Sequence, residues 1–131
     1  NILRKLGKHA IDAVNEISSP IEKLEKYLFI VNQAVGPKFD KFMKNVEKIE
    51  GSKKMTDFHE NFISEYTEKL LNEAIDMKEI REIDTKAFSI LFSSIGREFL
   101  SEKNRKLISS SPDESANSLT SIILNGIKLK N

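Results

Sequence analysis

The chain contains no cysteine, which excludes disulfides, thiolate metal sites and cysteine nucleophiles together. Glycine and proline are scarce, five and three in 131 residues, so there are few points at which regular structure must break. Neither sign of charge dominates. Twenty-one Lys and Arg stand against 20 Asp and Glu, a formal charge of +1, which is no basis for wrapping nucleic acid. Long apolar runs are missing too: the longest is Tyr27 to Val31, far short of the roughly 20 residues that cross a bilayer. The stretch from Asn1 to Pro20 does not read as a signal peptide, because Lys8, His9, Asp12 and Glu16 interrupt it.

What is present is a globular composition, 39% hydrophobic and 31% charged, in a chain long enough for one compact domain over residues 1–131. Its apolar residues recur at spacings of three and four, the helical period. They divide into about six segments. The first carries Leu3, Leu6, Ala10, Ala13, Val14 and Ile17, and is expected to stop at Ser18, Ser19 and Pro20. The second carries Ile21, Leu24, Leu28, Val31 and Val35 up to Gly36-Pro37. The third carries Phe39, Phe42, Met43, Val46 and Ile49, with Gly51 as its stop. Thr56 is the expected N-cap of the fourth, a long helix through Phe58, Phe62, Ile63, Tyr66, Leu70, Ala74 and Ile75. Asp84 is placed to cap the fifth, and Ser111, Pro112 and Glu114 form a capping-box signature for the sixth, after a polar link from Glu102. No run alternates as a β-strand does. The expected fold is all-α.

Catalytic chemistry is thinly supplied. Only His9 and His59 occur, neither in the Glu-x-x-His or His-Glu-x-x-His spacing that helical metal sites use. No glycine-rich phosphate loop is present. Acidic residues alternate with lysine, as in Glu22-Lys23-Leu24-Glu25-Lys26, the pattern of a solvated helix face. No cofactor, metal or catalytic residue is expected, and an enzyme is the least favoured reading.

The last two helices are more informative. Apolar side chains from Asp84 to Leu100 spread over about half the helix circumference, wider than the stripe that one partner surface covers. Pro112 to Ile127 shows the same breadth. Small residues interrupt both, Ser89, Ser93, Ser94 and Gly96 in one, Ser118, Ser121 and Gly126 in the other, and small side chains permit close helix approach. The pattern points to a second copy of the chain packed there, with Ser89, Phe92, Ser93, Gly96, Leu119, Ile122, Ile123 and Gly126 at the interface. Ordinary central helices of a monomer would also carry broad apolar faces.

Two segments resemble the TetR (tetracycline-repressor-like) family of transcriptional regulators. Residues 73–95, EAIDMKEIREIDTKAFSILFSSI, are similar to the place where one helix ends, an acidic cap follows and the first dimerisation helix begins. Residues 115–127, SANSLTSIILNGI, are similar to the family's last helix. Family members often carry glycine in the turn before the acidic cap, where this chain has Lys78 and Glu79. The resemblance implies a cytoplasmic homodimeric repressor's regulatory domain, with the last two helices of each copy in a four-helix interface. It also implies that Asn1 to Ser18 is the helix connecting to a DNA-binding helix-turn-helix unit absent from this chain, so that DNA is a partner only through that unit. A ligand cavity among the middle helices, for a small apolar effector, is implied as well.

For that cavity the candidates are Phe42, His59, Phe62, Ile63, Tyr66 and Phe88. His59 and Tyr66 are seven apart and so share a helix side with Phe62 and Ile63; aromatics at this spacing also serve as core filler. Arg4, Lys5 and Lys8 cluster at the front of the first helix, either near phosphates in an intact regulator or as ordinary surface charge. The alternative from another class is a helical protein–protein interaction module offering an open apolar groove.

Overall fold

The structure, a computed structural model, describes residues 2–37, 41, 45, 48 and 52–130. Among them are helices α1 (Ile2–Val14), α2 (Pro20–Gln33), α3 (Ser52–Asp76), α4 (Thr85–Leu100), the single turn α5 (Glu102–Arg105) and α6 (Pro112–Ile127). The chain is all-α, and the described residues contain no strand; one isolated antiparallel bridge joins Ile80 to Lys128. Of the third sequence segment, Phe39, Phe42, Met43, Val46, Ile49 and Gly51 lie outside the described residues.

Helix α2 is the hub. It packs on α1, α3 and α6, while α4 packs on α3 and α6. Leu24, Tyr27 and Leu28 of α2 are fully enclosed with Val14 of α1, Leu70 and Leu71 of α3 and Leu124 of α6. Completely burying one such aliphatic side chain stabilises the fold by about 1.5–3 kcal/mol. One polar cluster lies among these contacts. The buried Asn32 amide donates to Asn117 Oδ1 (3.0 Å) and Thr120 Oγ1 (3.3 Å), fixing the register of α2 against α6.

Helix ends follow local chemistry. Ser19 caps α2, its Oγ accepting from Glu22 N (3.3 Å), and Pro20 opens the helix. Asp84 Oδ1 accepts from Ala87 N (3.1 Å) at the start of α4, as its position suggests. Two boundaries and one cap bond differ from expectation. Helix α1 stops at Val14, short of Ile17, because the chain tightens into a turn in which Ile17 N donates to Val14 O (3.0 Å). Thr56 lies inside α3, its hydroxyl donating back to Lys53 O (2.9 Å), so it is not the N-cap of that helix. Ser111 is the N-cap residue of α6, its carbonyl accepting from Ser115 N (3.0 Å), but its side chain makes no bond to the helix backbone; its hydroxyl donates to Asp113 Oδ1 (2.7 Å) and Glu114 Oε1 (2.9 Å). The polar link also contains the turn α5, capped by Ser101 Oγ on Asn104 N (3.2 Å).

The turn after α3 shows why glycine is not needed there. Lys78 takes φ 58°, the left-handed conformation that usually selects glycine. Lys78 N donates to Ile75 O (3.0 Å) and Glu79 N to Ala74 O (2.8 Å), a Schellman closure of α3. Glu79 then braces three elements. Its carboxylate accepts from Ser19 Oγ (2.5 Å) and Ile21 N (3.0 Å) at the positive end of α2, and its carbonyl accepts from Leu129 N (3.0 Å) beyond α6. Lys128 adds an ion pair to Glu25 of α2.

Candidate ligand cavities and subunit face

Two neighbouring cavities open around the first half of α3. One, of about 360 Å³, lies between α1 and α3 and is lined by Leu3, Arg4, Gly7, Lys8, Ile11, Met55, Phe58, His59 and Phe62. Gly7 of α1 faces the Phe62 ring of α3 here; a Cβ at Gly7 would stand 3.4 Å from that ring, an ordinary van der Waals contact. The other, of about 460 Å³, lies between α2, α3 and α4. Its apolar walls are Leu3, Val31, Ala34, Val35, Ile63, Phe92 and Leu100, and its polar margin includes Asn32, Thr56, Asp57, His59, Glu60, Ser93 and Arg97. Leu3 and His59 line both.

The electrostatics of the two differ. In the α2–α3–α4 cavity, Arg97 Nη1 is 3.4 Å from Glu60 Oε2, and the charged lining of Lys53, Asp57, Glu60 and Arg97 is balanced. Partial burial pushes the Glu60 carboxyl above its ordinary range, opposed by Arg97 and reinforced by Asp57 and Glu98. His59 goes the other way: burial holds the imidazole pKa below its usual value, so the ring is neutral at pH 7. In the α1–α3 cavity the charged lining residues are both cations, Arg4 and Lys8, and Arg4 stands 5.7 Å over the Phe58 ring.

Of the sequence candidates, His59, Phe62 and Ile63 come together around these cavities. Tyr66 does not line either. It packs edge-on against Tyr27, ring centroids 4.6 Å apart, and the Tyr27 hydroxyl is buried and pushed to high pKa by desolvation, with Tyr66 adding to the effect. Phe88 packs half-buried against the core, and Phe42 lies outside the described residues. Helix α1 supplies Leu3, Gly7 and Ile11 as cavity walls, which the reading of the middle helices missed. The available signal was Gly7 set among Leu3, Leu6 and Ala10 on one apolar helix face.

The two broad-faced helices divide their residues. Ser89 is enclosed by its own chain, its hydroxyl donating to Lys86 O (2.9 Å) and accepting from Ser64 Oγ (3.4 Å) of α3. Phe92 is buried in the core and lines the second cavity. Gly96 meets Val35 of the same chain, where an added Cβ would lie 2.8 Å from Cγ1. Ser93 lines the second cavity and Ile123 packs half-buried on the core. Ser89, Phe92 and Gly96 thus face their own chain, while Ser93 and Ile123 are half-buried. The outer arcs stay uncovered: Ile90 and Leu91 of α4 are 56% and 45% exposed, and Leu119 and Ile122 of α6 are 42% and 66% exposed. Ala87 and Gly126 continue the same arcs, both exposed.

Compared with protein-family models, curated proteins and solved structures, the chain matches none. Among the described residues no group of three or more His, Asp or Glu is placed to hold a metal ion, and no helix is long and apolar enough to cross a membrane.

Proposed function

We propose that the chain is the regulatory domain of a TetR-like transcriptional repressor, a homodimer that answers to a small, largely apolar ligand. The observation that carries the reading is the double use of α4. Phe92, Ser93, Gly96 and Arg97 line a cavity, while Ile90 and Leu91 of the same helix are exposed, as are Leu119 and Ile122 of α6. Four exposed Ile and Leu on two neighbouring, mutually packed helices are what a second copy would cover. The residues proposed for that contact are Ile90, Leu91, Leu119, Ile122 and Gly126.

A ligand does regulatory work only by binding one helix arrangement better than another. Helix α1 borders both cavities, so occupancy bears on its position. In the proposed repressor α1 carries that shift to a helix-turn-helix unit ahead of it, while α4 carries it to the subunit contact. Sedimentation velocity on the chain tests the subunit part. The expected result is a dimer at micromolar concentration that dissociates in the Ile90→Asp, Ile122→Asp double variant; a monomer at high micromolar concentration contradicts it.

A second reading has its own observation. Phe29 of α2, 51% exposed, flanks an open groove shared with Asn117, Thr120, Ser121 and Leu124 of α6, the shape that an interaction module offers to an amphipathic partner helix.

A further inference from the structure

The α1–α3 cavity and the α2–α3–α4 cavity share Leu3 and His59 as a common wall, and their chemistry forms a gradient. At the α1 end the charged lining is cationic, Arg4 and Lys8, both exposed at the surface, with no carboxylate among the lining residues. Below that rim the surface is apolar and aromatic, Gly7, Ile11, Phe58 and Phe62. Beyond the shared wall the second cavity has apolar walls at Val31, Ile63 and Phe92 and a charged margin of Lys53, Asp57, Glu60 and Arg97. His59, desolvated and neutral, adds no charge where the two cavities meet.

We propose that the two cavities form one path, which binds a single-chain anionic amphiphile of the fatty-acid type. Its carboxylate sits between Arg4 and Lys8, and its alkyl chain runs past Leu3 and His59 toward Ile63 and Phe92. Two cationic side chains over an apolar groove complement an anionic head on a hydrocarbon tail, and they disfavour an amine of the same length by like-charge repulsion. The significance of binding as an effector event rests on the proposed function; the chemistry of recognition rests on the lining alone.

Calorimetric titration of the native chain with octanoate, dodecanoate and tetradecanoate, below micelle formation, tests the inference. Binding is expected at one molecule per chain, tightening by about fourfold for each buried methylene from octanoate through tetradecanoate. Dodecanol is expected to bind about tenfold more weakly than dodecanoate, and dodecylamine more weakly still. Because Lys8 is exposed, Lys8→Glu leaves the fold intact by circular dichroism; it is expected to weaken dodecanoate about tenfold and leave dodecanol unchanged. Equal affinity for acid and alcohol, or indifference to Lys8→Glu, overturns the proposal, as does adsorption to anionic phospholipid vesicles without binding of the monomeric acid. Affinity that stops rising beyond octanoate overturns the continuous path. A dimer that fails to bind would refute this inference alone, and a monomer that binds would refute only the proposed repressor.

Discussion

Gly96 provides a sharp test of how α4 lies on the end of α2. Glycine within a sixteen-residue helix costs about 1 kcal/mol relative to alanine, so on propensity alone Gly96→Ala should stabilise the chain. Packing opposes it. The new Cβ would lie 2.8 Å from Val35 Cγ1, well inside the 3.5–4.0 Å optimum for carbon contacts. Such crowding typically costs about 1–3 kcal/mol, and Val35, β-branched and stiff at χ1, has little freedom to yield. The net expectation is a loss of about 1 kcal/mol, a fall in Tm of roughly 4 °C for a chain of this size. In a Val35→Ala background the offending methyl is gone and the nearest remaining side-chain atom, the residue 35 Cβ, is 4.0 Å away. There Gly96→Ala should instead stabilise by about 1 kcal/mol. The coupling of about 2 kcal/mol, measured by urea unfolding of all four chains at one protein concentration, reports the contact itself. Stabilisation of similar size in both backgrounds would show that Gly96 and Val35 do not meet, and would refute the placement of α4.

Three further outcomes follow from the fold and the cavity. Lys78→Gly relieves a left-handed residue at the end of α3 and should raise stability by about 1 kcal/mol in urea unfolding. Glu79→Ala removes the acceptor of Ser19 Oγ and Ile21 N and should cost about 1–3 kcal/mol by the same assay; an unchanged midpoint would show that the α2 cap is not braced. His59, with a folded pKa held below its unfolded value by burial, favours the unfolded chain once that chain binds the extra proton. Stability should therefore fall as pH drops below about 6.5 toward the lowered folded value, and His59→Gln should flatten that part of the profile.

The all-α architecture was legible because the apolar period is helical nearly throughout and the cap at Asp84 is a local signal. Thr56 shows the limit of cap reading. A threonine hydroxyl also bonds a carbonyl three residues back inside a helix, and the sequence pattern is the same in either case. The breadth of the apolar faces on α4 and α6 was visible, but a helical projection has no record of which arc the chain itself covers. That is why Ser89, Phe92 and Gly96 looked like interface positions and are occupied by α3, the core and Val35, while Leu119 and Ile122 stayed outward. The cavity lining was legible only on α3, at His59, Phe62 and Ile63. The walls that α1 contributes come from the apolar face around Gly7, a local pattern, but its meeting with Phe62 of α3 is a long-range contact that the pattern does not specify.

The outward face of α4 and α6 can be probed directly, since the chain has no native cysteine to compete. Ile122→Cys places a single thiol on that face, and Lys103→Cys places one on exposed α5 as a reference. Maleimide labelling of each variant is followed from nanomolar to high micromolar protein. If a second copy covers the face, labelling at position 122 slows steeply as concentration rises while position 103 reacts at a constant rate. Equal, concentration-independent labelling at both positions would mean that nothing sits on Ile122, and the dimeric regulator would be contradicted.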